Sequence, residues 1–112
     1  MKMLLIDDLR VMTVHRTART YDDGIVALQN GPWDVLYLDH DLGEEKTGYD
    51  ITNWLEQNPA YQPEAVVLVT MNPVGRENIA RALVAMGYIR ISVTELVRCD
   101  PVQTNPERID AQ

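Results

Sequence analysis

The stretch Val35-Leu36-Tyr37-Leu38-Asp39-His40-Asp41-Leu42-Gly43 decides how this chain is read. Val35 to Leu38 is a short apolar run of the kind that forms a buried strand. Three ionisable side chains follow without a gap, and Gly43 breaks the segment. Within a strand, neighbouring side chains point to opposite faces. That constraint relaxes at the strand's end, so Asp39, His40 and Asp41 can all reach one rim. Open α/β sheets bind ligands at the carboxyl ends of their strands. The plainer reading is a polar loop that caps the next helix. Two other strand ends of this chain are loaded in a similar way, which favours the functional reading.

Working outward towards the N-terminus, Met3 to Ile6 is a second apolar strand and ends in Asp7-Asp8. Val11 to Arg19 holds a further candidate strand, with Val14 its clearest apolar member and His15 read as structural. Thr20 opens a helix: Thr20 and Asp23 have capping-box spacing, with Asp in place of the usual Glu or Gln. Ile25 and Leu28 give that helix an apolar pair, and Gly31-Pro32 stops it. Towards the C-terminus, Tyr49 to Asn58 reads as a helix with Ile51, Trp54 and Leu55 on one face. Pro59 and Pro63 bracket a loop. Ala65 to Met71 is apolar except for Thr70 and is expected to be the most buried strand. Asn72-Pro73 starts the best-marked helix, an N-cap followed by a proline that loses no hydrogen bond. Ile79, Ala82, Leu83 and Met86 continue it at helical spacing, and Gly87 ends it. Ile89, Ile91 and Val93 alternate as an edge strand. Residues 100–112 are polar with no apolar period, so a domain over 1–99 followed by a loose tail is expected.

Helical crossovers make the strands they join parallel. The exception is the first connection. Only about half a dozen residues follow Asp8 before the second strand, too few for the dozen or so of a crossover helix. Either an antiparallel hairpin forms, or the chain runs back extended at about 3.3 Å per residue. The extended return is preferred, because it brings Asp7, Asp8, Arg19, Asp39 and Thr70 to one end of the sheet. The expected fold is α/β: a three-layer sandwich on a mainly parallel sheet, without a first helix.

The 112 residues suit one domain, and 46% apolar content in short runs suits a globular one. No stretch reaches the about eighteen apolar residues of a membrane span. Met1 to Ile6 meets acids too soon for a secretory signal. Cys99 is the single cysteine and is read as structural, so no internal disulfide forms and a cytoplasmic setting is expected. A net charge of −7 argues against duplex nucleic acid as a partner. It leaves room for a small phosphorylated ligand held by a few arginines, or for a protein partner.

If the strands before Asp7 and Asp39 are neighbours, their end residues lie about 5 Å apart. Asp7, Asp8 and Asp39 then crowd negative charge that must share a proton or hold a cation. Oxygen-only ligands at that spacing suit Mg²⁺, and Mn²⁺ as its replacement. The second element is Thr70-Met71-Asn72-Pro73-Val74-Gly75-Arg76. A helix start exposes N–H groups to an anion, Gly75 allows close approach, Arg76 adds charge and Thr70 a hydroxyl. Gly75 in a first turn costs about 1 kcal/mol relative to Ala, which an ordinary cap does not explain. His40 is the natural proton carrier, flanked by Asp39 and Asp41. Arg10 and Arg19 suit either bidentate phosphate contacts or service as counter-ions to the acids. Trp33, Trp54 and Tyr49 are read as packing.

Together these residues resemble response-regulator receiver domains. Asp7-Asp8, Asp39 and Thr70 match the acidic pair, the phospho-accepting Asp and the Ser/Thr of such domains. The first helix and the lysine of the last strand are missing, and no lysine follows Lys46. A closer resemblance is to the cyclic-phosphate processing receiver-like domains. It is carried by Ile6-Asp7-Asp8-Leu9-Arg10, Arg19-Thr20, Leu38 to Gly43, Gly48-Tyr49-Asp50 and Met71 to Ile79. That resemblance implies a receiver-like, flavodoxin-like fold acting on a cyclic phosphate ester of a nucleotide or RNA end. Asp7, Asp8 and Asp39 would hold the metal. Thr70, Asn72, Gly75, Arg76, Arg10 and Arg19 would contact phosphate, and His40 with Asp41 would act as catalytic groups. The alternative is a non-catalytic binding or signalling module, phospho-accepting at Asp39.

Overall fold

A computed structural model describes residues 1–99; the expected tail at 100–112 lies outside the described residues. The elements are β1 (Met3–Ile6), β2 (Arg16–Ala18), α1 (Tyr21–Gln29), β3 (Val35–Leu38) and α2 (Gly48–Gln57), then β4 (Ala65–Leu68), α3 (Pro73–Ala85), β5 (Tyr88–Arg90) and β6 (Glu95–Arg98). A short 3₁₀ turn at Pro59–Tyr61 follows α2. The strands form one sheet in the order β2-β1-β3-β4-β6-β5.

β1 pairs in parallel with both β2 and β3, and β3 in parallel with β4. The extended return after Asp8 is therefore the solution this chain adopts, and no helix lies between β1 and β2. The candidate strand over Val11 to Arg19 shortens to Arg16–Ala18, which leaves Val14 outside it. His15 is structural as expected: its Nδ1 accepts from the Met3 N–H at 3.0 Å. β4 ends at Leu68, before Val69 and Thr70. The most buried strand is β1 rather than β4: both are paired on two sides, but three consecutive residues of β1 are buried whereas burial alternates along β4.

β6 is the element the sequence reading missed. It lies between β4 and β5 and is antiparallel to both. Glu95 and Arg98 hide a short strand from any search for apolar runs. The turn that precedes it has no glycine or asparagine; instead the Ser92 hydroxyl accepts from the N–H groups of Thr94 and Glu95. β5 is the edge strand expected from Ile89, but Ile91 and Val93 fall in the turn.

Each helical connection steps the same way across the sheet. Right-handed crossovers then place α1, α2 and α3 on one face. The main cluster agrees: Leu4, Ile6, Leu36, Leu38, Val66, Leu68 and Leu96 alternate along their strands and meet Leu28, Ile51, Leu55, Ile79 and Leu83 from the helices. Full burial of such a side chain contributes about 1.5–3 kcal/mol. The β1–β2 connection steps the other way and so crosses the opposite face. Leu5, fully buried yet outside the main cluster, lies on that side. Over β1, the extended return thus takes the place of the first helix, as expected.

The helix starts follow from their caps. Thr20 accepts from the Asp23 N–H at 3.1 Å, and Asn72 accepts from the Gly75 N–H at 3.0 Å. α2 has a full capping box that begins before Tyr49: Asp50 reaches back to the Thr47 N–H at 2.7 Å.

Candidate functional site

The parallel ladder runs one residue past the strands. Asp7 N–H donates to Ala18 O, Asp39 N–H to Ile6 O, and Val69 N–H to Leu38 O, all near 3 Å. These bonds bring Asp7, Asp39 and the segment before Thr70 to the same rim. Ligand oxygens of Asp7, Asp8 and Asp39 lie within 4.8 Å of one another. Asp7 is buried and the other two are half-buried.

Two glycines shape this rim. Gly43 has φ of +69°, which favours glycine, and a Cβ there would stand 2.9 Å from Oδ2 of Asp8. Gly48 donates its N–H to the His40 carbonyl at 2.8 Å. A Cβ on Gly48 would stand 3.0 Å from the Asp39 carbonyl carbon and closer still to its oxygen. The start of α2 therefore presses directly on the Asp39–His40 backbone.

The acids have different surroundings. Burial alone would raise the Asp7 pKa, but N–H bonds from Arg10 and Leu9 and the Arg10 guanidinium outweigh it, so the net shift is downward. Arg10 Nε lies 3.1 Å from Asp7 Oδ2. Asp39 shifts upward: burial comes first, and the negative charge of Asp7 adds to it. The Thr70 hydroxyl and the N–H groups of His40 and Asp41 partly offset that rise. The rim therefore pairs an acid held ionised with one pushed towards its protonated form.

Of the residues singled out from the sequence, Asp7, Asp8, Arg10, Asp39 and Asp41 line one open cleft of about 320 Å³. The others lie outside that lining. Thr70 is buried, serving Asp39 and accepting from the Asn72 N–H at 3.1 Å. Asn72 caps α3 through the Gly75 N–H, so that N–H is already engaged. Arg19 donates to the backbone carbonyls of Asp7 and Arg10, at 3.1 and 2.6 Å, and so anchors the loop after β1. Arg10 both faces Asp7 and donates to the Val69 carbonyl at 2.6 Å, tying β1 to β4. Arg76 Nε stands 3.7 Å from Glu77, which Arg90 grips with two bonds of 2.9 and 2.7 Å.

Gly75 has a use the sequence did not reveal. A Cβ there would lie 2.6 Å from Cδ2 and 2.8 Å from Nδ1 of His40. The glycine makes room for the imidazole against the first turn of α3. Nδ1 of that ring lies 3.1 Å from Oδ1 of Asp41. Leu9 and Met71 also line the cleft, and the sequence reading did not single them out. Leu9 sits inside the motif after β1, and Met71, expected to end the buried strand, lies beyond β4 and is exposed.

The fold and the acids at its strand ends define a receiver-like domain. The model of the cyclic-phosphate processing receiver domain matches residues 2–85, most of the chain, and the protein belongs to that family. Comparison with curated proteins gives no match. The lysine of ordinary receivers has no counterpart here: Lys2 lies over the Trp33 ring and Lys46 over the Tyr21 ring. Among the described residues no helix is long and apolar enough to cross a membrane.

Proposed function

We propose that this domain processes a phosphate ester, a cyclic phosphate on a nucleotide or RNA end, with the help of a divalent metal. The observation that carries the reading is the convergence of Asp7, Asp8 and Asp39 within 4.8 Å at the mouth of the cleft. The donor set fits Mg²⁺ or Mn²⁺. It is all oxygen, and Asp39, raised first by burial and further by the charge of Asp7, sits beside a second carboxylate whose charge a cation would relieve. Asp7, Asp8 and Asp39 would hold the ion, which when bound supplies positive charge to a phosphoryl oxygen.

The chain's own groups do the rest. Arg10, in the cleft lining, offers a cation to a phosphoryl oxygen while it keeps Asp7 ionised. Water adds to phosphorus as the ester P–O bond breaks and gives up its proton to solvent, while His40, oriented by Asp41 through Nδ1, delivers a proton to the departing alkoxide. A phospho-accepting role for Asp39 is less well supported, because neither lysine is in the lining of the cleft and each lies over an aromatic ring.

A screen of cyclic nucleotides and of RNA with a cyclic-phosphate end, with Mg²⁺ or Mn²⁺ supplied, tests this reading. Turnover that disappears in Asp39→Ala is expected. Turnover that persists in that variant removes Asp39 from the reaction. No turnover of any substrate, together with a stable acyl phosphate on Asp39, returns the domain to the signalling class.

A further inference from the structure

The acidic cleft has an apolar rim. Besides Met1, the large apolar residues most open to water are Met71 at 89%, Val11 at 86%, Leu9 at 82% and Val74 at 71%. Leu9 and Val11 lie in the loop after β1, Met71 in the loop after β4, and Val74 in the first turn of α3. Leu9 and Met71 line the same cleft as the three carboxylates. Single exposed apolar residues need no explanation. Two of them in the lining of one polar cleft, with a third and fourth close by in sequence, do.

We infer that Leu9 and Met71 form a base subsite: the nucleobase of the substrate lies against them while its phosphate faces the acids and Arg10. This rests on the phosphate-ester reading and deepens it by naming the residues that would meet the base. Three observations favour a base over other apolar groups. The cleft, about 320 Å³, is at the small end of ligand sites and suits a mononucleotide rather than a buried chain. Met71 brings a polarisable thioether, which makes favourable contacts with aromatic rings and adapts to their shape. Finally, the net charge of −7 opposes the other apolar-plus-phosphate ligand, an anionic lipid surface. No aromatic side chain lines the cleft, so discrimination among bases is expected to be weak.

The test compares two probes in the presence of Mg²⁺: adenosine 2′,3′-cyclic phosphate and glycerol 1,2-cyclic phosphate, which keeps the ring phosphate and lacks the base. Titration calorimetry on the full chain should show the nucleotide binding more tightly by about tenfold or more, the scale on which an apolar contact discriminates. Leu9→Ser and Met71→Ser should each erase most of that advantage and leave glycerol cyclic phosphate unchanged. Because both side chains are exposed, neither change threatens the fold. Adenosine alone should also shift the ¹³C-methyl resonance of Met71, identified by its loss in Met71→Ser. Equal binding of the two probes by the wild type, with no Met71 shift, overturns the base subsite and leaves the phosphate reading standing. Failure of both probes to bind overturns both. Binding to vesicles of anionic phospholipid that Leu9→Ser weakens assigns the rim to a membrane and overturns the inference.

Discussion

His40 and Gly75 occupy the same place from opposite sides. The imidazole fills the volume that any side chain at Gly75 would need, with Cδ2 2.6 Å from the Cβ position. The two signature loops are therefore one packed unit. The glycine costs helix propensity in the first turn of α3, and it positions the histidine in return.

Gly75→Ala should destabilise the protein. Alanine gains about 1 kcal/mol in helix propensity, but overpacking against the ring costs about 1–3 kcal/mol. The net loss expected is small, on the order of 1 kcal/mol. The larger effect should fall on His40, whose NMR-detected contact with Asp41 should be lost. Gly48→Ala should cost more than Gly75→Ala, because its Cβ meets the Asp39 backbone, which cannot rotate away. Urea unfolding of the two variants checks the order. A Gly75→Ala protein as stable as wild type with an unmoved His40 would contradict the packing.

Arg10→Ala should cost about 1–2 kcal/mol, at the low end for charged hydrogen bonds because part of its side chain faces water. It removes a bond to Asp7 and another to the Val69 carbonyl. Arg19→Ala loses two bonds to carbonyls and should loosen the loop after β1 by a similar amount. The two variants separate in metal affinity. Losing Arg10 removes a competing cation from Asp7 and should tighten Mg²⁺ or Mn²⁺ binding, whereas losing Arg19 should weaken it by disordering Asp8. Calorimetric titration of both variants decides; equal affinities would show that Arg10 does not compete with the ion.

Much of this was legible because strand ends are cheap to read. The apolar runs at Met3, Val35 and Ala65 name the three central strands, and the acids that close them name the rim. The short first connection allowed only two topologies, and site geometry chose between them. What stayed hidden depends on contacts between distant segments. The use of Gly75 is set by His40, which lies far from it in sequence. Glu95 and Arg98 flank only two apolar residues, so β6 shows neither a run nor an alternation long enough to read. Arg19 looks like a phosphate ligand in sequence, and only the fold turns it towards two carbonyls. Leu9 and Met71 are ordinary apolar residues until the fold leaves them in water beside the acids.

The last expectation concerns pH, because Asp7 and Asp39 are shifted in opposite directions. The folded state raises the pKa of Asp39, so ionising it at neutral pH works against folding. Asp39→Asn keeps an oxygen for the His40 N–H and removes that charge, so the metal-free variant should be more stable than wild type at pH 7. Its advantage should shrink as pH falls through the folded pKa of Asp39, which lies above 3.8, and be gone below 3.8. Asp7 behaves in the reverse sense. Its folded pKa is lowered, so its contribution is full above 3.8 and is lost as pH falls below that value. Asp7→Asn should therefore be less stable than wild type at pH 7, and its deficit should shrink only below 3.8. Saturating metal reverses the first comparison: an ion at 100 times its Kd stabilises the wild type by about 2.7 kcal/mol, and Asp39→Asn should gain little of it. Denaturant titrations between pH 3 and 7, with and without Mg²⁺, follow all three curves. If Asp39→Asn is less stable than the metal-free wild type at pH 7, the charge on Asp39 is not opposed by its burial and by Asp7, and the electrostatic case for a cation there fails.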